Sequence, residues 1–154
     1  MTTLAAGDAC PDFELENQAG EIVKRSDFAG KKILIYFYPK ASTPGCTTQS
    51  CAVRDAKDEL AELNVERIGI SPDAPAKQQR FDEKNELGFT LLCDTEKTVA
   101  EAFGVWGEKK MYGKTYMGII RSSFLVDENG TIIEAWYKVK PNETVSKAID
   151  ALKS

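Results

Sequence analysis

Two cysteines, Cys46 and Cys51, lie five residues apart in a stretch that could carry thiol chemistry. This stretch begins at Pro39, is rich in small polar residues and separates a buried apolar run from an amphipathic helix. Pro44 and Gly45 make a turn, so Cys46 falls in the first turn of that helix. Unpaired backbone N–H groups and the positive end of the helix dipole stabilise a thiolate there, and the thiolate is the reactive form of cysteine. Cys46 is therefore the candidate nucleophile.

Other roles for these two cysteines fit the sequence less well. A zinc site needs four ligands, and no second cysteine pair or histidine completes the set. A thioredoxin-type redox pair has Cys-x-x-Cys spacing, which this pair lacks. Inert core thiols lie on an apolar face, whereas the residues around Cys46 and Cys51 are polar, and this polarity argues against burial.

The spacing of Cys46 and Cys51 has a mechanical consequence. In an intact helix their Cα atoms lie ~8.6 Å apart, which exceeds the ~7 Å that a disulfide spans. If the two sulfur atoms bond during turnover, the first turn of the helix must unwind. We therefore expect a reduced, folded form and an oxidised, locally unfolded form that interconvert in each cycle.

Strand and helix patterns alternate along the chain. The run 33–38 is apolar, β-branched and aromatic without polar alternation, which is typical of a central strand buried on both faces. Apolar residues at steps of three and four predict a helix over about 47–63. The other predicted elements are a strand over 65–71, a helix over 74–87, a short strand over 89–93, a short helix ending at 104, a loop over 105–118, a hairpin over 122–138 and a helix after 142. This order indicates an α/β layered domain with a mixed sheet, and residues 1–154 are interpreted as one domain.

Composition argues against several classes of function. The 154 residues carry a net charge of −4 without a run of basic residues, which argues against nucleic acid as a partner. No segment has the apolar length that crosses a membrane, and the N-terminal residues lack the features of a secretory signal, so a cytoplasmic location is expected. Histidine is absent, which removes the usual general base of nucleophilic enzymes.

The residues around Cys46 resemble the active-site pattern of the peroxiredoxins. Their pattern Pro-x-x-x-Thr-x-x-Cys matches Pro39, Thr43 and Cys46. The longer run Thr-Pro-Gly-Cys-Thr, with a cysteine five residues after the first, resembles the bacterioferritin-comigratory-protein subfamily. Three further segments support the resemblance in the same order along the chain: 11–13, 104–109 and 118–125. Four segments in register are stronger than any lone motif.

The resemblance implies a thioredoxin-like fold with a central mixed β-sheet flanked by helices and an N-terminal β extension. It also implies a thiol peroxidase that needs no metal or other cofactor. Cys46 would be the peroxidatic cysteine, which a peroxide oxidises to a sulfenic acid. Thr43 would hydrogen-bond the peroxide, and Pro39 would shield the pocket from water. Arg121 would favour the Cys46 thiolate and stabilise charge that develops in the displacement.

The resemblance further implies that Cys51 is the resolving cysteine. It would condense with the sulfenic acid to an intramolecular disulfide, which a thioredoxin-type protein reduces. Hydrogen peroxide and small alkyl hydroperoxides are the implied substrates. Resolution within one subunit needs no dimer, so we expect a monomer. Cys93 is predicted to be a buried structural thiol, and the alternative is that Cys93 is the resolving cysteine in place of Cys51. Cys10 is interpreted as incidental.

Two other functions stay open on the residues alone. Cys46 and Cys51 could exchange disulfides with protein substrates, or the chain could be a binding module that senses oxidation. The Thr43-x-x-Cys46 arrangement favours the peroxidase, because a hydroxyl near the sulfur suits a small oxygen substrate.

Overall fold

The computed structural model describes residues 3–153. The strands in chain order are β1 (Glu14–Asn17), β2 (Ile22–Lys24), β3 (Lys32–Phe37), β4 (Val65–Ser71), β5 (Thr90–Cys93), β6 (Trp106–Met111), β7 (Lys114–Ile119), β8 (Ser122–Val126) and β9 (Ile132–Trp136). The α-helices are α1 (Pro44–Asp55), α2 (Lys57–Glu62), α3 (Pro75–Asn85), α4 (Thr98–Ala102) and α5 (Thr144–Lys153). Among residues 3–153, no helix is long and apolar enough to cross a membrane.

Seven strands form one mixed sheet in the order β2-β1-β5-β4-β3-β8-β9. β3, β4 and β5 are parallel neighbours, whereas β8 and β9 extend the sheet with antiparallel pairing. At the other edge, the β1–β2 hairpin joins β5 in the antiparallel direction. The predicted mixed sheet and its N-terminal β extension are confirmed.

The side chains of β3 alternate between two apolar layers, as a strand requires. Ile33, Ile35 and Phe37 pack with α4 and the N-terminal segment. Leu34 and Tyr36 face the opposite layer, which is built by α1, α2, α3 and α5. Both faces of β3 are therefore buried, as its unbroken apolar run predicts.

The predicted helix over 47–63 consists of two helices, α1 and α2. α1 begins earlier than predicted because Pro44 occupies the first helical position, where a backbone N–H would have no intrahelical partner in any case. Ala56 interrupts the helix with φ −87° and ψ 11°. Val53 and Leu60, on either side of the break, are both fully buried. The break thus lets two short helices each turn an apolar side toward the sheet.

Segment 105–118 is a β-hairpin, so the prediction of a loop was wrong. β6 and β7 pair along their whole length, and Tyr112 and Gly113 between them have φ of 53° and 76°. A type I′ turn requires positive φ at both of these positions and matches the twist of a hairpin. Tyrosine rarely adopts positive φ, so the sequence carries only half of the usual turn signal.

Candidate active site

The loop between β3 and α1 presents Cys46 at the start of the helix. Thr43 has an extended backbone (φ −88°, ψ 155°) and is the N-cap of α1. Its carbonyl accepts hydrogen bonds from the amide N–H and the hydroxyl of Thr47 at 2.9 and 2.8 Å. Cys46 is the third residue of the helix, so its amide N–H and that of Gly45 have no intrahelical partner. These N–H groups and the positive end of the helix dipole lie at Cys46, as the sequence predicts.

The register of the sheet brings two distant parts of the predicted site together. β3 and β8 pair so that Phe37 lies opposite Ser122. The residues just after β3 and just before β8 therefore lie together at the same end of these two strands. Pro39, which is half-buried, and Arg121 are in these positions.

Arg121 contacts Cys46 directly. Its Nη2 lies 3.4 Å from the Cys46 Sγ, and its Nη1 donates to the Gln49 Oε1 at 2.6 Å. The Gln49 Nε2 in turn donates to the Thr144 Oγ1 at 2.8 Å. Because Gln49 and Thr144 are fully buried, a chain of hydrogen bonds that ends on α5 fixes the guanidinium beside the sulfur. A cation in this position stabilises a thiolate and negative charge on a reacting oxygen.

Gln49 is a site residue that the sequence patterns did not indicate. Its one signal is its spacing from Cys46, since residues three apart share one side of a helix. Gly45 also contributes to the site, because a Cβ at this position would lie only 3.1 Å from the Arg121 Nη2. A larger residue there would push the guanidinium away from the sulfur.

Cys46 is only 1% exposed, so the expectation that its polar neighbours keep it out of the core was wrong. It packs in an apolar cluster with Tyr36 and Val53. Two of the polar neighbours, Gln49 and Ser50, are buried as well because they find partners: the Ser50 Oγ lies 2.8 Å from the Tyr36 hydroxyl, and Gln49 bonds as described above. Burial raises the pKa of Tyr36 above its ordinary value, so the phenol stays neutral. The polar sequence around Cys46 thus reflects satisfied hydrogen bonds rather than exposure.

The Thr43 hydroxyl is turned toward its own loop. It donates to the Lys40 carbonyl at 2.8 Å, which leaves its oxygen lone pairs available as acceptors. Thr43 is half-buried and lies three residues before Cys46. The hydroxyl is therefore able to receive a hydrogen bond from a small polar molecule at the start of α1.

Cys51 lies on α1 with Cys46 but in different surroundings. It is partly exposed, and its Sγ lies 4.0 Å from the Oδ1 of Asn85 at the end of α3. All four cysteines are free thiols. Because Cys46 and Cys51 both belong to an intact α1, the helical spacing of ~8.6 Å between their Cα atoms applies. The structure therefore shows a folded, reduced form in which these two sulfur atoms are not bonded.

A cleft of about 540 Å³ opens beside Arg121. Its other lining residues are Glu108, Lys109, Lys110, Ile120, Lys138 and Val139. The Lys109 Nζ donates to the Ile119 carbonyl at 2.8 Å. Burial and then the charge of Arg121 lower the pKa of Lys109, against the opposing effect of Cys46. The cleft thus combines cationic and aliphatic surface next to the guanidinium that contacts the sulfur.

Cys10 and Cys93 are buried outside the apolar cluster that holds Cys46. Cys93 is buried as predicted, and burial raises its pKa to about 12. Cys10 is a core residue rather than an incidental one, and burial raises its pKa to about 11. Both remain protonated near neutral pH, which disfavours them as nucleophiles.

In the part of the chain that the structure describes, no group of three or more His, Cys, Asp or Glu side chains could hold a metal ion.

The chain is similar to known proteins over most of its length. Residues 6–135 match the model of the AhpC/TSA family. The chain is 55% identical over 154 residues to a putative peroxiredoxin bcp of Haemophilus influenzae, which covers 100% of this chain and 99% of that one. It is 50% identical over 151 residues to the peroxiredoxin Bcp of Bacillus subtilis, with 98% and 96% covered.

A solved structure gives the same result for the fold. The bacterioferritin comigratory protein of Xanthomonas campestris, whose trapped intermediate and ligand complexes concern its alkyl peroxide reduction activity, superposes with a TM-score of 0.89 at 34% identity, with 96% and 97% of the two chains covered. The predicted thioredoxin-like fold is therefore confirmed. The chain belongs to the AhpC/TSA family and is a peroxiredoxin, a thiol-dependent peroxidase that reduces hydroperoxides.

Proposed function

We propose that Cys46 is the peroxidatic cysteine of this enzyme. Its thiolate attacks the terminal oxygen of a hydroperoxide, the O–O bond breaks, and Cys46 becomes a sulfenic acid while the leaving hydroxide or alkoxide takes up a proton to give water or an alcohol. The observation that carries this proposal is the 3.4 Å contact between the Arg121 Nη2 and the Cys46 Sγ at the N-terminus of α1. The same guanidinium stabilises the negative charge that moves from sulfur to oxygen during the displacement.

Thr43 and Pro39 complete the proposed peroxide pocket. The Thr43 hydroxyl gives its proton to the Lys40 carbonyl, so its lone pairs accept the O–H of the bound peroxide and orient the peroxide oxygen toward the sulfur. Pro39 offers no N–H to water at the edge of the pocket. Its half-buried ring shields the reacting atoms on that side.

Cys51 is the proposed resolving cysteine. After the first turn of α1 unwinds, the Cys51 thiol attacks the Cys46 sulfenic acid, and the two form a disulfide with loss of water. A thioredoxin-type dithiol protein then reduces this disulfide by thiol exchange. Support comes from the partial exposure of Cys51 on the same short helix, because an exposed thiol needs little rearrangement to reach an unwound turn.

Hydrogen peroxide and alkyl hydroperoxides are the proposed substrates. The relative from Xanthomonas campestris supports the alkyl peroxides. In this chain, the cleft of about 540 Å³ beside Arg121 offers Ile120 and Val139 to an organic group. A hydroperoxide of moderate size therefore has room for its alkyl part while its terminal oxygen meets Cys46.

Stopped-flow oxidation of the reduced protein with one equivalent of hydroperoxide tests the proposal. We expect two thiols to be lost per peroxide at a rate far above that of free cysteine. The Cys46→Ser variant should consume no peroxide, whereas Cys51→Ser should turn over once and accumulate a trappable sulfenic acid. An internal disulfide in oxidised Cys51→Ser would assign resolution to Cys93 or Cys10 instead. An oxidation rate equal to that of an ordinary thiol would overturn the peroxidase site.

The surroundings of the enzyme follow from this cycle. An intramolecular disulfide needs no second subunit, so the proposed state is a monomer, which sedimentation of both redox forms checks. A dithiol reductant is supplied by the reducing cytoplasm, and cell fractionation checks this proposed location. Neither nucleic acid nor a membrane is a proposed partner.

A further inference from the structure

Four exposed cations surround a second cleft, of about 330 Å³, between α3 and the loop that precedes α1. They are Lys40, Lys77, Arg80 and Lys84, and Ala41 and Ser42 complete the lining, which holds no carboxylate. None of the four forms a salt bridge with another described residue. These four side chains, here named the α3 basic surface, concentrate positive charge on a chain whose net charge is −4.

The α3 basic surface works against the stability of its own helix. Lys77, Arg80 and Lys84 stand three and four residues apart, so they form one stripe along α3. Like charges at these spacings repel each other and destabilise a helix. A concentration of unpaired charge that the fold does not use points to a partner of opposite charge.

The surface borders both cysteines of the proposed disulfide. The Lys40 carbonyl accepts the Thr43 hydroxyl, and Ala41 packs in the apolar cluster that contains Cys46. At the other end, Asn85 directly follows Lys84 and contacts the Cys51 Sγ. A protein bound to α3 would therefore lie next to the partly exposed Cys51 and beside the loop that leads to Cys46.

We propose that the α3 basic surface docks the protein reductant of this enzyme, a dithiol protein that carries carboxylates around its reactive thiols. This inference rests on the proposed function. One partner thiolate attacks the Cys46–Cys51 disulfide and forms a mixed disulfide with one of the two cysteines, which frees the other. The second partner thiol then attacks the partner sulfur of this mixed disulfide and releases the remaining enzyme thiol. Two electrons and two protons pass to the enzyme, whose two thiols are restored, and the partner leaves with its own disulfide. The stripe from Lys77 to Lys84 is ~10 Å long, which suits a protein surface better than one small anion.

Charge reversal of Arg80→Glu together with Lys84→Glu tests the docking in the full-length enzyme. The probe is an acidic thioredoxin that its reductase and NADPH recycle. The matched control is Lys57→Glu together with Lys153→Glu, which makes the same change in net charge at exposed positions of α2 and α5. Lys153 lies in the last turn of its helix, as Lys84 does. Lys40 is left intact because its carbonyl holds Thr43.

We expect kcat/KM for thioredoxin to fall roughly tenfold or more in the α3 variant and to stay near the wild-type value in the control, since electrostatic steering of this size is typical. The wild-type value should fall steeply with added salt, and that of the α3 variant should not. Turnover with neutral dithiothreitol and the rate of Cys46 oxidation should be the same in all three proteins. Equal kcat/KM for thioredoxin in the α3 variant and the control would overturn the docking surface. A loss of kcat/KM in the α3 variant with glutathione as the reductant, but not with thioredoxin, would also overturn it, because the occupant would then be a small anionic thiol. Failure of the wild-type enzyme with dithiothreitol would instead refute the proposed peroxidase function.

Discussion

Gln49 connects the Arg121 guanidinium, which lies beside the Cys46 sulfur, to the buried core. It accepts the Arg121 guanidinium at 2.6 Å and donates to the buried Thr144 hydroxyl at 2.8 Å. Arg121 has several rotatable bonds, so its contact with Cys46 depends on this anchor. Gln49 is therefore a positioning residue in the proposed mechanism.

Replacing Gln49 by leucine should slow peroxide reduction and reduce stability. The Thr144 hydroxyl would lose its partner in the core, which costs about 1–3 kcal/mol of unfolding free energy. A displaced guanidinium should slow the oxidation of Cys46 by up to ~100-fold. Stopped-flow oxidation and urea unfolding measure the two effects.

The control for this prediction is Thr144→Val. It removes the last hydroxyl in the series of hydrogen bonds from Arg121 through Gln49 to Thr144, but it leaves the amide oxygen of Gln49 that accepts from Arg121. It should lose stability with a much smaller loss of rate. Equal rate losses in Gln49→Leu and Thr144→Val would contradict a specific positioning role and indicate a general loosening of α1.

The buried thiols give a prediction about selective modification. Burial raises the pKa of Cys93 to about 12 and that of Cys10 to about 11. A raised pKa means that the folded protein keeps the proton, so very little of the Cys93 thiol is ionised at pH 8. Iodoacetamide at pH 8 should therefore label Cys51 well before Cys10 or Cys93, and label all of them after denaturation. Peptide mass spectrometry measures this order, and early labelling of native Cys93 would contradict it.

The sequence indicated candidate site residues that lie close together in the chain, with the exception of Gln49, and it gave no local signal where the fold joins distant segments. Cys46 and Cys51 lie on one helix, and their position and spacing indicated them as a candidate pair, whereas the family pattern indicated Pro39 and Thr43. Arg121 was found only through family resemblance, because 75 residues separate it from Cys46 and no local pattern marks it. The α3 basic surface was missed for the same reason, since Lys40 joins a helix that follows it by more than 30 residues.

At the scale of elements, local patterns predicted the central strands well. β4 has the predicted bounds, 65–71: its apolar residues Val65, Ile68 and Ile70 are buried, and turn residues flank the strand. The β6–β7 hairpin was missed because Tyr112, with φ 53°, occupies a position that asparagine or glycine usually marks. Tyr112 is 96% exposed, so the pairing of β6 with β7 on both sides of the turn, and not packing of its own side chain, accompanies this conformation. No local sequence pattern reports that pairing.

If Cys46 and Cys51 form the proposed disulfide, the first turn of α1 must move in each cycle. Formation of the Cys46–Cys51 disulfide is incompatible with helical spacing, so the turn at 44–47 should lose its backbone hydrogen bonds on oxidation. Hydrogen exchange of the reduced and oxidised proteins should show faster exchange in 44–51 after oxidation and unchanged protection in β3 and β4. The Cys51→Ser variant, treated with the same peroxide, is the control because it cannot form this disulfide. Equal protection of α1 in the two redox states of the wild type would rule out the unwinding.

At the scale of the whole molecule, the β6–β7 hairpin is the part that could behave independently, because it forms a separate two-stranded sheet. Several contacts tie it to the rest. Ile119 belongs to the larger apolar cluster and Trp106 packs against it, the Lys97 Nζ lies 5.5 Å from the centre of the Trp106 ring, and the Val105 amide N–H, just before β6, donates to the Ala100 carbonyl at 2.9 Å. These contacts favour one cooperative unit, in line with the proposal that residues 1–154 form one domain.

The two tryptophans allow this proposal to be tested. Trp106 reports on the hairpin. Trp136, on β9, packs against the apolar cluster that contains Leu34 of β3 and Ala148 of α5. If the chain is one domain, the variants Trp106→Phe and Trp136→Phe should each show a fluorescence midpoint in urea that coincides with the midpoint of their own far-ultraviolet circular dichroism. If the hairpin melts on its own, Trp136→Phe, which retains Trp106, should show fluorescence changes at lower urea than its circular dichroism. Such a separation would divide the chain into two cooperative units and would make the cleft beside Arg121, which β6 partly lines, the first part of the enzyme to open.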